Sequence, residues 1–306
     1  EGDGTAADDI GWAEQDVTVT DPTVEMVLRF RVIGAAGDRI ELRVGTATTG
    51  SQLVSDLTFE AGYHCHSFTP GEGNTTVYIQ FRNRGNFRNK DVQIDDVSLI
   101  DNTALVIGSP FGAADLSGIK TAQSADVMYV VRPNYPAHKL SRRGNTSWSL
   151  TEVAWEDGPY LTENAETTTL AAAATTGLGI TITASATTGI NGGAGFLSTD
   201  VGRLVRIQHT TNNPGWAVIV SVTSTTQAVV DIRRDFNATT AQTTWRLGAW
   251  SGTTGYPSAA GFYEQRFVLA ATPTQPQTFW FTQSADLENM RPDSRVGSAN
   301  QVEDDD

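Results

Sequence analysis

The stretch GYPSAAGFYEQRFVLAATPTQPQTFWFTQSADLENM, Gly255 to Met290, decides how the chain is read. It reads as two short strands, FYEQRFVLA and TFWFTQS, around the turn TPTQPQ. Pro273 and Pro276 block any helix at that turn. Asp286 to Asn289 closes the unit. Elsewhere Thr, Gly and Ala abound and helix-period apolar stripes are nearly absent, so the chain is expected to be all-β.

The N-terminal third alternates most clearly. In VEMVLRFRV, Val24, Met26, Leu28, Phe30 and Val32 point one way, and Glu25, Arg29 and Arg31 the other. DRIELRVG repeats this with Ile40, Leu42 and Val44 inward and Glu41 and Arg43 outward. TVYIQFRN does so with Val77, Ile79 and Phe81, and VQIDDVSLI completes the set. Period-2 alternation predicts half-buried strands with one wet face, and short strands between turns predict a sandwich. Gly34 and Gly37 mark one hairpin turn, Gly71 and Gly73 another.

Further along, Val127 to Val131 is a short apolar strand, and Pro133 and Pro136 bracket a turn, RPNYPAHK. The next segment alternates again, with Trp148, Leu150, Val153 and Trp155 as candidate core. EDGPYLT, Glu156 to Thr162, is a Gly-Pro joint. Beyond it the composition turns to Thr, Ala and Gly. Strands are expected at GITITASA, Leu204 to His209, Trp216 to Val222, Ala228 to Ile232 and Thr244 to Leu247. The glycines of GINGGAG match neither a dinucleotide nor a P-loop fingerprint and read as turn residues.

With 306 residues there is room for two or three domains, and 39% hydrophobic with 18% charged residues describes a globular chain. No apolar run is long enough to span a membrane, and no secretion signal opens the chain. The opening Glu and the closing EDDD suggest a piece of a longer chain. A single cysteine, Cys65, excludes an intrachain disulfide and a thiolate cluster. The net charge of −14 opposes gripping of duplex DNA, which depends on Lys and Arg neutralising phosphates. It reads first as solubility, and more sharply as a wall along which DNA slides without sticking.

The Gly255–Met290 stretch resembles a repeated signature of tail nozzle, or tubular tail, proteins of short-tailed bacteriophages. The match is carried by Gly255, Tyr256, Pro257, Phe262, Arg266, Phe267, Thr272, Pro276, Gln277, Thr278, Trp280, Asp286 and Asn289. A second match, ADVMYVVRPNYPAHKLSR at Ala125 to Arg142, resembles the signature that accompanies the first in those proteins. Residues 161–250 resemble a small β-barrel insertion that such proteins carry, with no chemistry attached. Residues 10–101, through the closing strand IDDVSLI (Ile94 to Ile100), resemble the jelly-roll modules of carbohydrate-binding domains. The resemblances imply four parts: a jelly-roll sandwich at 1–101, a propeller-like body segment at 102–160, a small β-barrel insertion at 161–250, and a return to the body at 251–306.

They also imply function. The expectation is a virion structural protein of the phage tail, made in the host bacterial cytoplasm. It would form a self-associated ring, expected to be a hexamer, beneath portal and adaptor. That ring would carry fibre or spike proteins and pass genome DNA through its lumen without specific binding. The alternative is a carbohydrate-binding protein recognising host-surface glycans. Its platform candidates are Trp12, Tyr63, Tyr78 and Phe87. No enzyme activity, catalytic residue, cofactor-binding residue or metal ligand is expected, apart from a structural Ca²⁺ that some related modules hold, here through Asp95 or Asp96.

Other candidates read as scaffold. His64 and His66 share a strand face and so approach one metal, yet no third ligand is evident. Exposed histidines around a buried Cys65 are expected instead. A Cys–His dyad fails because strand neighbours point to opposite faces. His138 is expected on the surface at a turn. The basic run Phe81 to Lys90, FRNRGNFRNK, reads as a hairpin tip or subunit contact rather than a nucleic-acid site. A glycan-cleaving enzyme would need two carboxylates across a cleft. No spacing selects a pair among Asp95, Asp96, Glu156 and Asp157.

Overall fold

A computed structural model describes residues 11–83, 92–101, 104–209 and 214–291, together with the backbone of 301–303. It is 51% strand and 4% helical, so the chain is all-β as its alternation predicts. The chain divides into two compact units. One comprises Glu1–Ser117, Gln123–Tyr129 and His138–Ala154, the other Gly118–Ala122, Val130–Ala137 and Trp155–Asp306. The acidic residues 1 to 9, most of the basic run (Arg84 to Lys90, with Phe87) and the final aspartates lie outside the described residues.

The N-terminal strands are β1 (Gly11–Thr18), β2 (Met26–Ile33), β3 (Arg39–Gly45), β4 (Val54–Glu60), β5 (Gly62–Phe68), β6 (Thr76–Asn83) and β7 (Gln93–Asp101). After them come β8 (Lys120–Ser124), β9 (Val127–Arg132), β10 (Tyr135–Gly144) and β11 (Ser147–Glu152). One sheet runs β1-β6-β3-β4, the other β7-β2-β5-β11-β10-β9-β8. Their inner faces share a core of Leu28, Phe30, Val32, Ile40, Leu42, Val44, Phe59, Val77, Ile79 and Phe81. Apart from Phe59, these are inward positions the alternation assigns. Val24, assigned to the same face, lies ahead of β2 and is exposed. Glu41, assigned outward, is buried.

Strands β8 to β11 follow one another in sheet order, the up-and-down arrangement of a propeller blade. The turn expected across RPNYPAHK is shorter than its prolines suggest. Only Pro133 and Asn134 form it, and Pro136 sits inside β10. Strand β11 pairs with β5, Ser149 opposite His64, so the sandwich sheet continues into a segment far along the chain.

Residues 161–250 supply β12 (Leu170–Ala172), β13 (Ile180–Ala184), β14 (Leu204–Ile207), β15 (Gly215–Ser224), β16 (Gln227–Arg234) and β17 (Trp245–Leu247). They form one curled half-barrel sheet ordered β12-β13-β16-β15-β14-β17. Its core packs Leu170, Ile182, Ile190, Val205, Ile207, Ile219, Val230 and Trp245. Burying each large aliphatic side chain contributes about 1.5–3 kcal/mol.

The last sheet is β18 (Ala259–Tyr263), β19 (Arg266–Ala270), β20 (Thr278–Phe281) and β21 (Gln301–Glu303), paired in that order. FYEQRFVLA is therefore a hairpin and not one strand. Glu264 and Gln265 turn it, with φ of 45° and 62°. Such positive-φ pairs match the twist of a tight hairpin, usually through Asn and Gly, which is why the sequence does not announce this one. At the entry to the sheet, Gly255 has a φ of 82°, and a Cβ there would lie 2.4 Å from the Pro273 ring. Gly255→Ala is expected to destabilise by about 1–3 kcal/mol through this strain, read as a lower urea midpoint.

Candidate functional site

The signature residues come first, because the sequence places most weight on them. Tyr256 donates its backbone N–H to the Pro133 carbonyl at 2.9 Å, joining the two signature stretches. Phe267 and Trp280 are fully buried. Arg266 Nη1 donates to the Thr282 carbonyl at 2.6 Å. Thr272 Oγ1 accepts the Gln275 N–H at 3.0 Å, closing the proline turn. Asn289 Nδ2 donates to the Asp286 carboxylate at 3.1 Å, and the Met290 N–H donates to the Glu156 carbonyl at 2.9 Å. Trp155, Trp250 and Trp280 form an edge-to-face chain with centroids 5.2 and 5.5 Å apart. Turn, core and tie account for these residues.

The other face of that last sheet behaves differently. Ala259, Gly261, Tyr263, Arg266, Val268, Ala270, Phe279 and Phe281 share it by register, so Arg266 apart the face is apolar. Tyr263 is 61% exposed and Phe279 47%. A sheet whose two faces are both apolar has one face left to cover.

In the sandwich, the histidines correct the expectation: His64, His66 and His138 are all buried. His64 packs on Phe30 and Phe59. Its Nε2 lies 2.6 Å from the Glu60 carbonyl, which only accepts, so Nε2 carries the proton. Nδ1 is then the acceptor for the Ser149 hydroxyl at 2.9 Å. This is a Ser–His hydrogen bond, but both residues are buried. Burial depresses the His64 pKa to about 4, the Glu60 carbonyl opposes that, and Arg143 adds to it. Cys65 faces the other way beside Trp148, and burial raises its pKa.

A histidine held neutral in the fold gives its full stability above pH 6.5 and loses it as pH falls toward 4. The loss is on the order of 3 kcal/mol at about 1.4 kcal/mol per pH unit. His64→Gln is expected to flatten denaturant stability between pH 6.5 and 4, checked by urea titrations across that range.

The platform candidates separate. Trp12 stands 52% exposed on the outer face of the β1-β6-β3-β4 sheet, in a row with Arg82 and Glu41. The next row is Glu14, Gln80 and Arg43, and Arg43 pairs with Glu41 at 3.3 Å and with Asp56. The β3–β4 loop covers part of this face. Gln80 Nε2 donates to the Gly50 carbonyl at 3.4 Å, and the Thr49 N–H donates to Glu14 at 2.8 Å. Tyr78 lies half-buried on that face. Tyr63 lies on the other sheet under the Arg31 guanidinium, 5.0 Å from its ring centroid.

Asp95 and Asp96 are exposed on β7, where the Asp96 N–H donates to the Asp95 carboxylate at 2.9 Å. Among the described residues no three His, Cys, Asp or Glu side chains converge to hold a metal ion. The aspartate pair alone falls short of the roughly six to eight oxygens that Ca²⁺ takes.

Of the other carboxylates, Glu156 is exposed, while Asp157 is sealed. Asp157 accepts from Arg234 Nη1 at 2.6 Å and from the Tyr160 hydroxyl at 2.9 Å. Glu152 is partly buried, and burial lifts its pKa to about 7.

A cleft that the sequence does not reveal opens on the curled sheet. It has a volume of 170 Å³ and is lined by Glu163, Arg206, Gln208, Thr244, Trp245 and Arg246. Its two arginines stand directly opposite each other on β14 and β17. No helix among the described residues is long and apolar enough to cross a membrane. No protein-family model and no curated protein matches the sequence.

Proposed function

We propose that the chain is a structural protein of a short-tailed phage tail, one copy in a nozzle-like ring that continues the DNA channel. The observation that carries the reading is the open apolar face of the last sheet, centred on Phe279 and Tyr263. A closed ring needs heterologous contacts, each copy offering a surface that its neighbour covers. An apolar sheet face suits that use. The resemblance of the two signature stretches supplies the tail assignment, and their contact through Tyr256 and Pro133 is what a shared body would need. The net charge of −14 suits a lumen from which DNA must leave freely. No reaction is assigned. The buried Ser–His pair and the sealed Asp157 read as scaffold. Gold-labelled antibody against the chain should mark the tails of virions that encode it. Labelling confined to capsids, or absent from intact particles, would refute the assignment.

A second reading rests on Trp12. An exposed indole beside Arg82 and the partly covered polar rows suits stacking against a sugar ring. The two readings are compatible, since a tail protein can bind surface glycans. A glycan array with the whole chain and with Trp12→Ala tests it. Binding lost only in the variant supports the platform, and no glycan bound by either chain removes it.

A further inference from the structure

We infer that the curled sheet carries a binding site for a tetrahedral oxyanion, a phosphate or sulfate group, held between Arg206 and Arg246. The register sets the site. Arg246 on β17 faces Arg206 on β14, Arg206 faces Trp216 on β15, and Trp216 faces Arg234 on β16. One row across four strands thus carries three guanidinium groups and one buried indole. Like charges directly opposite in an antiparallel pair repel. The surrounding groups relieve this unevenly. Arg234 is neutralised by Asp157 at 2.6 Å. Among the described residues Arg246 has only Glu163, at 3.4 Å, and both side chains are about two-fifths exposed.

Arg206 is relieved only in part, by the Asp157 charge. Its guanidinium lies over the Tyr160 ring at 5.4 Å, and its side chain makes no hydrogen bond among the described residues. Burial lowers its pKa, Asp157 and Tyr160 oppose that, and the Arg246 and Arg234 charges add to the lowering. The tyrosine hydroxyl donates to Asp157.

The cleft's chemistry matches what is missing. Two guanidinium forks, the Gln208 amide and the Thr244 hydroxyl supply donors around 170 Å³ of space. That is far above the roughly 10–15 Å³ a single water needs. Guanidinium groups bind oxyanions bidentately, and these two are held on neighbouring strands. Glu163 already lends a carboxylate to Arg246 from the rim, so an arriving oxyanion would compete with it. The site does not reflect general cation excess, because the whole chain is strongly acidic. The inference is independent of the tail assignment.

Thermal unfolding of the whole chain in sodium phosphate, against chloride of matched ionic strength, tests the site. Binding to the folded state alone raises Tm with ligand concentration. The melting temperature is expected to climb with phosphate. Arg206→Gln is expected to abolish that response while keeping or raising the chloride baseline. Glu163→Gln is expected to shift the response to about tenfold lower phosphate. Glucose 6-phosphate should act like phosphate, and glucose should have no effect. Equal phosphate responses in the parent and Arg206→Gln would mean a general salt effect and would overturn the site. A response to glucose alone would overturn it too, by moving recognition to the sugar. If Arg206→Gln does not fold, Arg246→Lys keeps the charge and loses the fork. Its phosphate response should then weaken about tenfold, and an unchanged response overturns the proposal.

Discussion

Asp200→Ala is expected to cost about 3–5 kcal/mol of stability, the range for removing one partner of a buried ion pair. Asp200 and Arg203 are both buried, with 2.9 Å between Oδ1 and Nη1. The carboxylate also accepts from Asn191 Nδ2 at 2.7 Å, the Leu197 N–H at 3.0 Å and Thr253 Oγ1 at 2.7 Å. Arg203 further donates to the Gly248 carbonyl at 2.7 Å and to Asn191 Oδ1 at 2.7 Å. Truncation leaves a guanidinium in the interior with its main counter-charge gone. It also unties residues 191 to 203 from 248 to 253. Replacing both partners, Asp200→Leu with Arg203→Met, is expected to cost clearly less than the sum of the two single changes, because no buried charge is then stranded. Urea denaturation of the single and double variants measures this. An Asp200→Ala cost below about 1 kcal/mol would show that the network is solvated and contributes little.

Trp280→Ala is expected to cost about 3–5 kcal/mol, the range for truncating a buried aromatic side chain. Trp280 is 1% exposed and packs edge-on against Trp250 at 5.5 Å, which in turn meets Trp155 at 5.2 Å. The loss should fall on the last sheet and its ties to Glu156. Trp280→Phe should cost much less. The indole Nε1 is buried with no acceptor among the described residues, so the smaller ring removes a stranded donor along with its packing area. Tryptophan fluorescence and urea midpoints separate the two variants. Equal costs for Ala and Phe would mean that the indole's own contacts in the tryptophan chain, and not volume, decide the packing.

The sequence made the sandwich legible because one face of each strand there is apolar and the other polar. Leu28, Phe30, Leu42, Val44, Val77 and Ile79 all lie where period-2 alternation puts them. The same rule failed where burial comes from strands distant in sequence. His64 and His66 look exposed beside their neighbours, yet β11 arrives some eighty residues later and lays Ser149 and Ser147 against them. Two turns escaped for local reasons. Glu264 and Gln265 adopt positive φ without Gly or Asn to signal it, and Pro136 suggests a turn where the chain is extended. The arginine cleft was illegible in principle. Arg206 and Arg246 become neighbours only through the β14–β17 register, and alternation fixes faces but not pairings. The apolar outer face of the last sheet was hidden in the same way. Reading FYEQRFVLA as one strand assigned its residues to the wrong sides of the turn.

The claim that this chain works by assembling is tested most directly by electron cryomicroscopy class averages of the purified protein and its Phe279→Asp variant. Closed rings with a central channel wide enough for duplex DNA are expected from the parent. The variant is expected to stay folded but unassembled, since a charge at the exposed Phe279 spoils the apolar face without touching the core. Parent and variant both appearing only as separate single chains, at concentrations where the parent is folded, would contradict it.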